Sequence, residues 1–154
     1  MADQLSPGTR VGRYEVLRLL RGNVYVAHDH ALGLKQFTTA LALLEQVVPS
    51  FQKSYGPTHP EVAVALLARG KTHAGLGDHA KAIADFEAAL QVFEHSDVDV
   101  RYAASVRAVL GKELWSSDRA RAVQLVRAAV ATLKPARTKF GDVLAESETW
   151  LAAH

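Results

Sequence analysis

The chain has 154 residues, of which 49% are hydrophobic and 22% charged, with a net charge of +2. That length suits one ordinary domain, and that balance excludes a disordered chain. There is no cysteine, so disulfides, iron–sulfur clusters and thiolate-held zinc are excluded. Alanine is the commonest residue, aromatics are 7%, and Ile83 is the one isoleucine. Alanine costs least in a helix and β-branched residues cost more, so the composition predicts an all-α fold.

The predicted elements run as follows. Residues 1–12 carry no apolar periodicity and no apolar core of a secretory signal, and read as a disordered N-terminus. Over 13–32, Leu17, Leu20, Val24, Ala27 and Ala31 recur at spacings of three and four, which predicts a helix with a weak point at Gly22-Asn23. Helical pairs follow over 33–133. Phe37 to Val48 matches His79 to Leu90, 42 residues on: Ala40 falls on Ala82, Leu44 on Phe86 and Val48 on Leu90. Ala122 to Val130 matches again 40 residues later, with Ala122 on Ala82, Val126 on Phe86 and Ala129 on Ala89. The helices that precede these also correspond, Ala68-Arg69-Gly70-Lys71 with Val109-Leu110-Gly111-Lys112. Gly70 and Gly111 sit inside helices at a cost of about 1 kcal/mol each, which predicts close helix contact there. Between pairs, Gly56-Pro57 stops a helix, and Thr58 with Glu61 reads as a capping box for the next. After Pro135, residues 135–154 read as an amphipathic capping helix, with Phe140, Leu144, Ser147 and Leu151 in one stripe and Trp150 packed at its flank.

A 40–42 residue period is the mark of a stacked repeat. The small residues, their spacing and the linker from Tyr55 to Ala63 resemble the tetratricopeptide repeat, in the variant of about 42 residues found in kinesin light chains. Two departures stand out: Leu66 replaces the usual aromatic of the first helix, and the linker from His95 to Val100 lacks Gly-Pro. The resemblance implies a right-handed solenoid of about three helix pairs plus the C-terminal cap. It also implies a concave groove, lined by the first helix of each pair, that binds a protein or peptide. Aligned positions place Val64, Leu67, Lys71 and Ala74 there, then Ser105, Ala108, Lys112 and Trp115. Lys71 and Lys112 recur 41 residues apart, and two ammonium groups in one groove suit an acidic partner.

Val11 to Leu20 and Val24 to Asp29 resemble the first two strands of a bacterial serine/threonine protein kinase, a family in which some members carry tetratricopeptide arrays. That resemblance implies a hairpin for 13–32 in place of the helix. The kinase machinery does not follow. Arg21-Gly22-Asn23 stands where the glycine-rich loop would be, Leu34-Lys35 is a weak match to the ATP-positioning lysine, and neither His-Arg-Asp nor Asp-Phe-Gly occurs. Asn23 is the sole asparagine, so a metal-binding asparagine downstream is missing. The chain therefore reads as no enzyme: a protein-interaction module, or a non-functional remnant of such a kinase.

Charge offers an alternative. Between Arg101 and Lys139 nine basic residues face only Glu113 and Asp118, which could serve an acidic polymer or nucleic acid. Nucleic acid is disfavoured because that run carries no recognisable nucleic-acid motif. His28-Asp29-His30 lacks a third ligand for a metal, and no cofactor motif is present. No apolar stretch reaches the ~18 residues of a membrane span, so the chain reads as cytoplasmic, without a membrane partner. Its open N-terminal face leaves room for self-association.

Overall fold

The computed structural model describes residues 10–11, 14–20, 24–29 and 34–154, with side chains from Phe37 onward, 137 and 138 apart. Three short strands, β1 (Arg10–Val11), β2 (Tyr14–Leu20) and β3 (Val24–Asp29), form an antiparallel sheet in chain order. Tyr14 lies opposite Asp29 and Leu20 opposite Val24. The helix expected over 13–32 is therefore corrected to strands. Tyr14, Val16, Val24, Tyr25 and Val26 suit a pleated sheet, and this outweighs the three-to-four spacing. The disordered N-terminus expected over 1–12 lies outside the described residues, save for β1.

From Leu34 onward the described chain is the expected all-α solenoid. Its helices are α1 (Leu34–Tyr55), α2 (Pro60–Gly75), α3 (His79–Glu94), α4 (Val100–Leu114), α5 (Arg119–Leu133) and α6 (Arg137–Ala153). Each packs on the next, most closely α2 with α3 and α4 with α5. β3 lies against α1 and α2, so strands stand where the repeat spacing puts the first pair's missing helix.

The small-residue seam explains the tight pairs. Ala82, Ala89, Ala122 and Ala129 are fully buried, with Phe86 and Val126 between them. A Cβ on Gly70 would lie 2.6 Å from the Phe86 ring, and one on Gly111 would lie 2.6 Å from Val126 Cγ2 and 2.8 Å from the Ala122 carbonyl oxygen. Glycine at these two points lets the backbones approach, and the aligned bulky residue fills the gap it leaves.

The linkers show why each helix starts where it does. Asp78, Asp99 and Asp118 accept backbone N–H bonds from Lys81, Arg101 and Arg121, each satisfying a free donor of the first turn. At α2 the cap is His59, whose Nδ1 accepts from the Glu61 N–H at 3.2 Å, so the Thr58–Glu61 capping box is corrected. Pro60 occupies the first turn of α2, where a missing N–H costs nothing. His59 also stacks on Tyr55, ring centroids 4.8 Å apart. Gly56 and Gly77 close their turns at φ +89° and +82°, a region that favours glycine.

One ion pair is set between α2 and α3. Arg69 donates two bonds to Asp85, at 2.8 and 2.7 Å, and Asp85 is only 6% exposed. That bond holds the Arg69 pKa above its ordinary value. The repeat puts Leu110 and Leu125 at the corresponding places, and Leu110 is fully buried. The same interface is thus built once with charge and once without.

α6 carries a kink at Phe140 (φ −123°, ψ 24°). Phe140 meets Tyr102 edge-on at 5.7 Å, while Leu144 and Ser147 are buried. The expected stripe thus covers the last pair.

Two stability predictions follow from these contacts. Gly111→Ala costs roughly 1–3 kcal/mol through overpacking, despite a helix-propensity gain of about 1 kcal/mol. Gly141→Ala, with no atom within 4 Å of the new Cβ, costs nothing. Equal urea midpoints for the two variants would contradict this packing. Asp85→Leu alone costs roughly 3 kcal/mol because Arg69 is left without its buried partner, whereas Arg69→Leu/Asp85→Leu restores most of the loss. Thermal unfolding of the single and double variants checks it, and a double variant no better than the single contradicts it.

Candidate functional site

Helices α2, α4 and α6 are the alternate members of the stack, and one set of side chains links all three. Lys71 on α2 senses both Lys112 on α4 and Glu146 on α6. Lys112 Nζ lies 3.3 Å from Glu146 Oε2. Desolvation by its surroundings lowers the Lys71 pKa, the Glu146 carboxylate pulls it back up, and Lys112 lowers it further. Lys71 keeps an exposed surface, so that desolvation is partial. Glu146 thus pairs with Lys112 and acts on Lys71 through its charge.

The other expected site residues divide. Val64, Leu67 and Ala74 are half-buried against the core of the α2 unit. Ser105 is half-buried and spends its hydroxyl on the Tyr102 carbonyl, at 2.7 Å. Ala108 is fully buried in a cluster with Leu133 and Leu144. Its place among groove-facing residues is corrected, because α6 covers that part of α4. Trp115 is half-buried and meets the Trp150 ring edge-on at 5.3 Å. Trp150 in turn stacks on His154 at 4.5 Å. Trp150 packs as its flank position predicts. An open recess of about 570 Å³ runs beside these rings, lined by Lys112, Glu146, Thr149, Trp150, Ala153 and His154.

Glu146 and His154 are the members that sequence reasoning missed. The repeat alignment stops before α6, so nothing set them against Lys71 and Lys112. Arg69 and Asp85 were missed too, although a signal exists: both depart together from Leu110 and Leu125 one repeat later.

The basic run between Arg101 and Lys139 does not gather into one patch of free cations. Arg107 pairs with Glu94 at 2.6 Å and Arg121 with Glu87 at 2.8 Å, joining neighbouring units. Arg101 pairs with its cap Asp99, whose pKa it lowers to about 2. Lys139 donates to the Tyr102 hydroxyl, and Arg119 lies over the Trp115 ring at 5.1 Å.

Among the described residues the histidines do not build a centre either. His73 is buried beside Asp85, and His79 reaches Glu113 at 2.7 Å. The His28 and His30 side chains lie outside the described residues. Among the described residues no group of three or more metal-ligating side chains converges. None of the described helices is long and apolar enough to cross a membrane. A second recess, of about 500 Å³, lies between α1, its linker and α3, and holds none of the expected site residues.

Stacked helical pairs with a small-residue seam define a helical-repeat fold. Residues 19–95 match the tetratricopeptide repeat, and the chain belongs to that family. The matched stretch begins within β2 and ends just past α3, while α4 and α5 follow by the repeat spacing. Such repeats mediate protein–protein interactions. A search of curated proteins finds no match.

The Glu146 carboxylate gives a testable titration. Lys71 titrates below the ordinary lysine value, since burial disfavours its charged form. Glu146→Gln lowers it further and Lys112→Gln raises it. Side-chain NMR of the lysine ammonium groups reads this, and a Lys71 pKa that ignores both substitutions would contradict the geometry.

Proposed function

We propose that the chain is a non-catalytic tetratricopeptide scaffold that binds an acidic peptide segment of a partner protein across α2, α4 and α6. What supports this reading is Lys112 bonded to Glu146 with Lys71 near enough to feel both charges. The half-buried side chains of Val64, Leu67 and Ala74 supply an apolar floor beside the charges. Trp115, set in the groove by alignment, is packed against Trp150, so the aromatic surface offered to a peptide is the Trp150–His154 edge. Lone charge pairs contribute roughly 0–1 kcal/mol each at an exposed surface, so affinity is micromolar or weaker.

The acidic-polymer alternative is weakened because Arg101, Arg107, Lys112 and Arg121, four of the nine basic residues of the run, already face carboxylates. The antiparallel pairing of β2 with β3 supports the reading of 13–32 as a kinase-like hairpin, retained without the loop and metal residues that phosphoryl transfer requires.

Fluorescence anisotropy with a labelled peptide alternating glutamate and leucine tests the proposal. Binding weakens as salt rises. Lys71→Glu with Lys112→Glu abolishes it at an unchanged melting temperature, and Arg127→Glu, on the exposed face of α5, leaves it unaltered. Loss through Arg127→Glu with the lysines silent would move the site to the outer helices. Arg119 is unsuited as a control because it lies on Trp115.

A further inference from the structure

We infer that Glu146 is a tethered competitor for this surface: its carboxylate occupies the place that an acidic side chain of the bound peptide takes, and the peptide enters by displacing it from Lys112. The inference rests on the peptide-binding reading above and adds the device that sets its selectivity.

Exposure shows which partner yields. The Glu146 side chain is 71% exposed and that of Lys112 only 24%. The lysine belongs to the wall of the stack, while the carboxylate stands mostly in water and can turn away without opening the core. The hydrogen bond that joins them is long, at 3.3 Å, and it spans 34 residues, from the fourth helix to the sixth.

Charge shows what displaces it. Glu146 pairs with Lys112 alone, and the Lys112 charge still opposes that on Lys71. A peptide with two acidic side chains neutralises both lysines, which Glu146 alone does not do. A peptide with one acidic side chain merely exchanges one carboxylate for another, so the surface selects ligands of higher acidic density.

Space shows where the ligand sits. The recess of about 570 Å³ borders the Lys112–Glu146 pair and runs along Trp150 and His154. An apolar side chain next to the acidic pair has a ring edge to rest on, and Glu146, once displaced, turns toward open water.

The test uses the full chain, the labelled glutamate–leucine peptide, and the same peptide with glutamine in place of glutamate. Glu146→Gln keeps the shape of the side chain and removes its charge. It strengthens binding of the acidic peptide roughly two- to fivefold, the range an exposed ion pair supplies, and leaves the glutamine peptide unimproved. Glu148→Gln, two positions along and on a different helix face, changes neither. If the wild-type chain binds and Lys112→Glu weakens it while Glu146→Gln has no effect or weakens it, the competitor is disproved and the peptide surface stands. If neither wild type nor Glu146→Gln binds the acidic peptide at low salt, both the peptide surface and the competitor are overturned.

Discussion

The structure depends on how closely two helices approach within a pair. At Gly70 and Gly111 the facing side chain already stands where a Cβ would go. This distance fixes which residues are small, since Ala82, Ala89, Ala122 and Ala129 must be buried without thickness. It also fixes where bulk belongs, in Phe86 and Val126, which fill the space beside each glycine. Interiors packed at crystal-like density do not absorb an added methyl group without displacement. The rest of the stack, including the surface that holds Lys71 and Lys112, inherits its geometry from this seam.

Charge is distributed by the same repetition. Acidic residues on α3 meet basic residues of the next helical pair, Glu94 with Arg107 on α4 and Glu87 with Arg121 on α5. Two of the nine basic residues between Arg101 and Lys139 are thus matched by the unit before them, while Arg101 pairs with its own cap and Lys112 with Glu146 of α6. Exposed pairs of this kind contribute little to stability. Their significance lies in which partners the surface admits.

The helical pairs were legible because their signals are local and repeated. Small and bulky residues recur at fixed spacing, and glycine inside a helix has few explanations besides close contact. The N-terminus was misread for a physical reason. Leu17, Leu20, Val24, Ala27 and Ala31 have helical spacing, yet Tyr14, Val16, Tyr25 and Val26 beside them are β-branched or aromatic, and the chain forms strands. His59 was not read as a cap because its ring nitrogen accepts the bond usually given to Thr or Asp. Ala108 was assigned to the groove because alignment identifies a helix face but not what later covers it. For the same reason Glu146 escaped notice: its importance comes from a contact between α4 and α6 that no local pattern encodes.

The central claim is that one face, made by α2, α4 and α6, receives an acidic peptide. Chemical-shift mapping of the labelled protein during titration with the glutamate–leucine peptide tests it most directly. The account predicts progressive shifts at Val64, Leu67, Lys71, Lys112, Glu146 and Trp150, with Ala84, Arg121 and Arg127 unmoved. Shifts confined to Ala84, Arg121 and Arg127 on α3 and α5, with Lys71 and Lys112 unmoved, would contradict it.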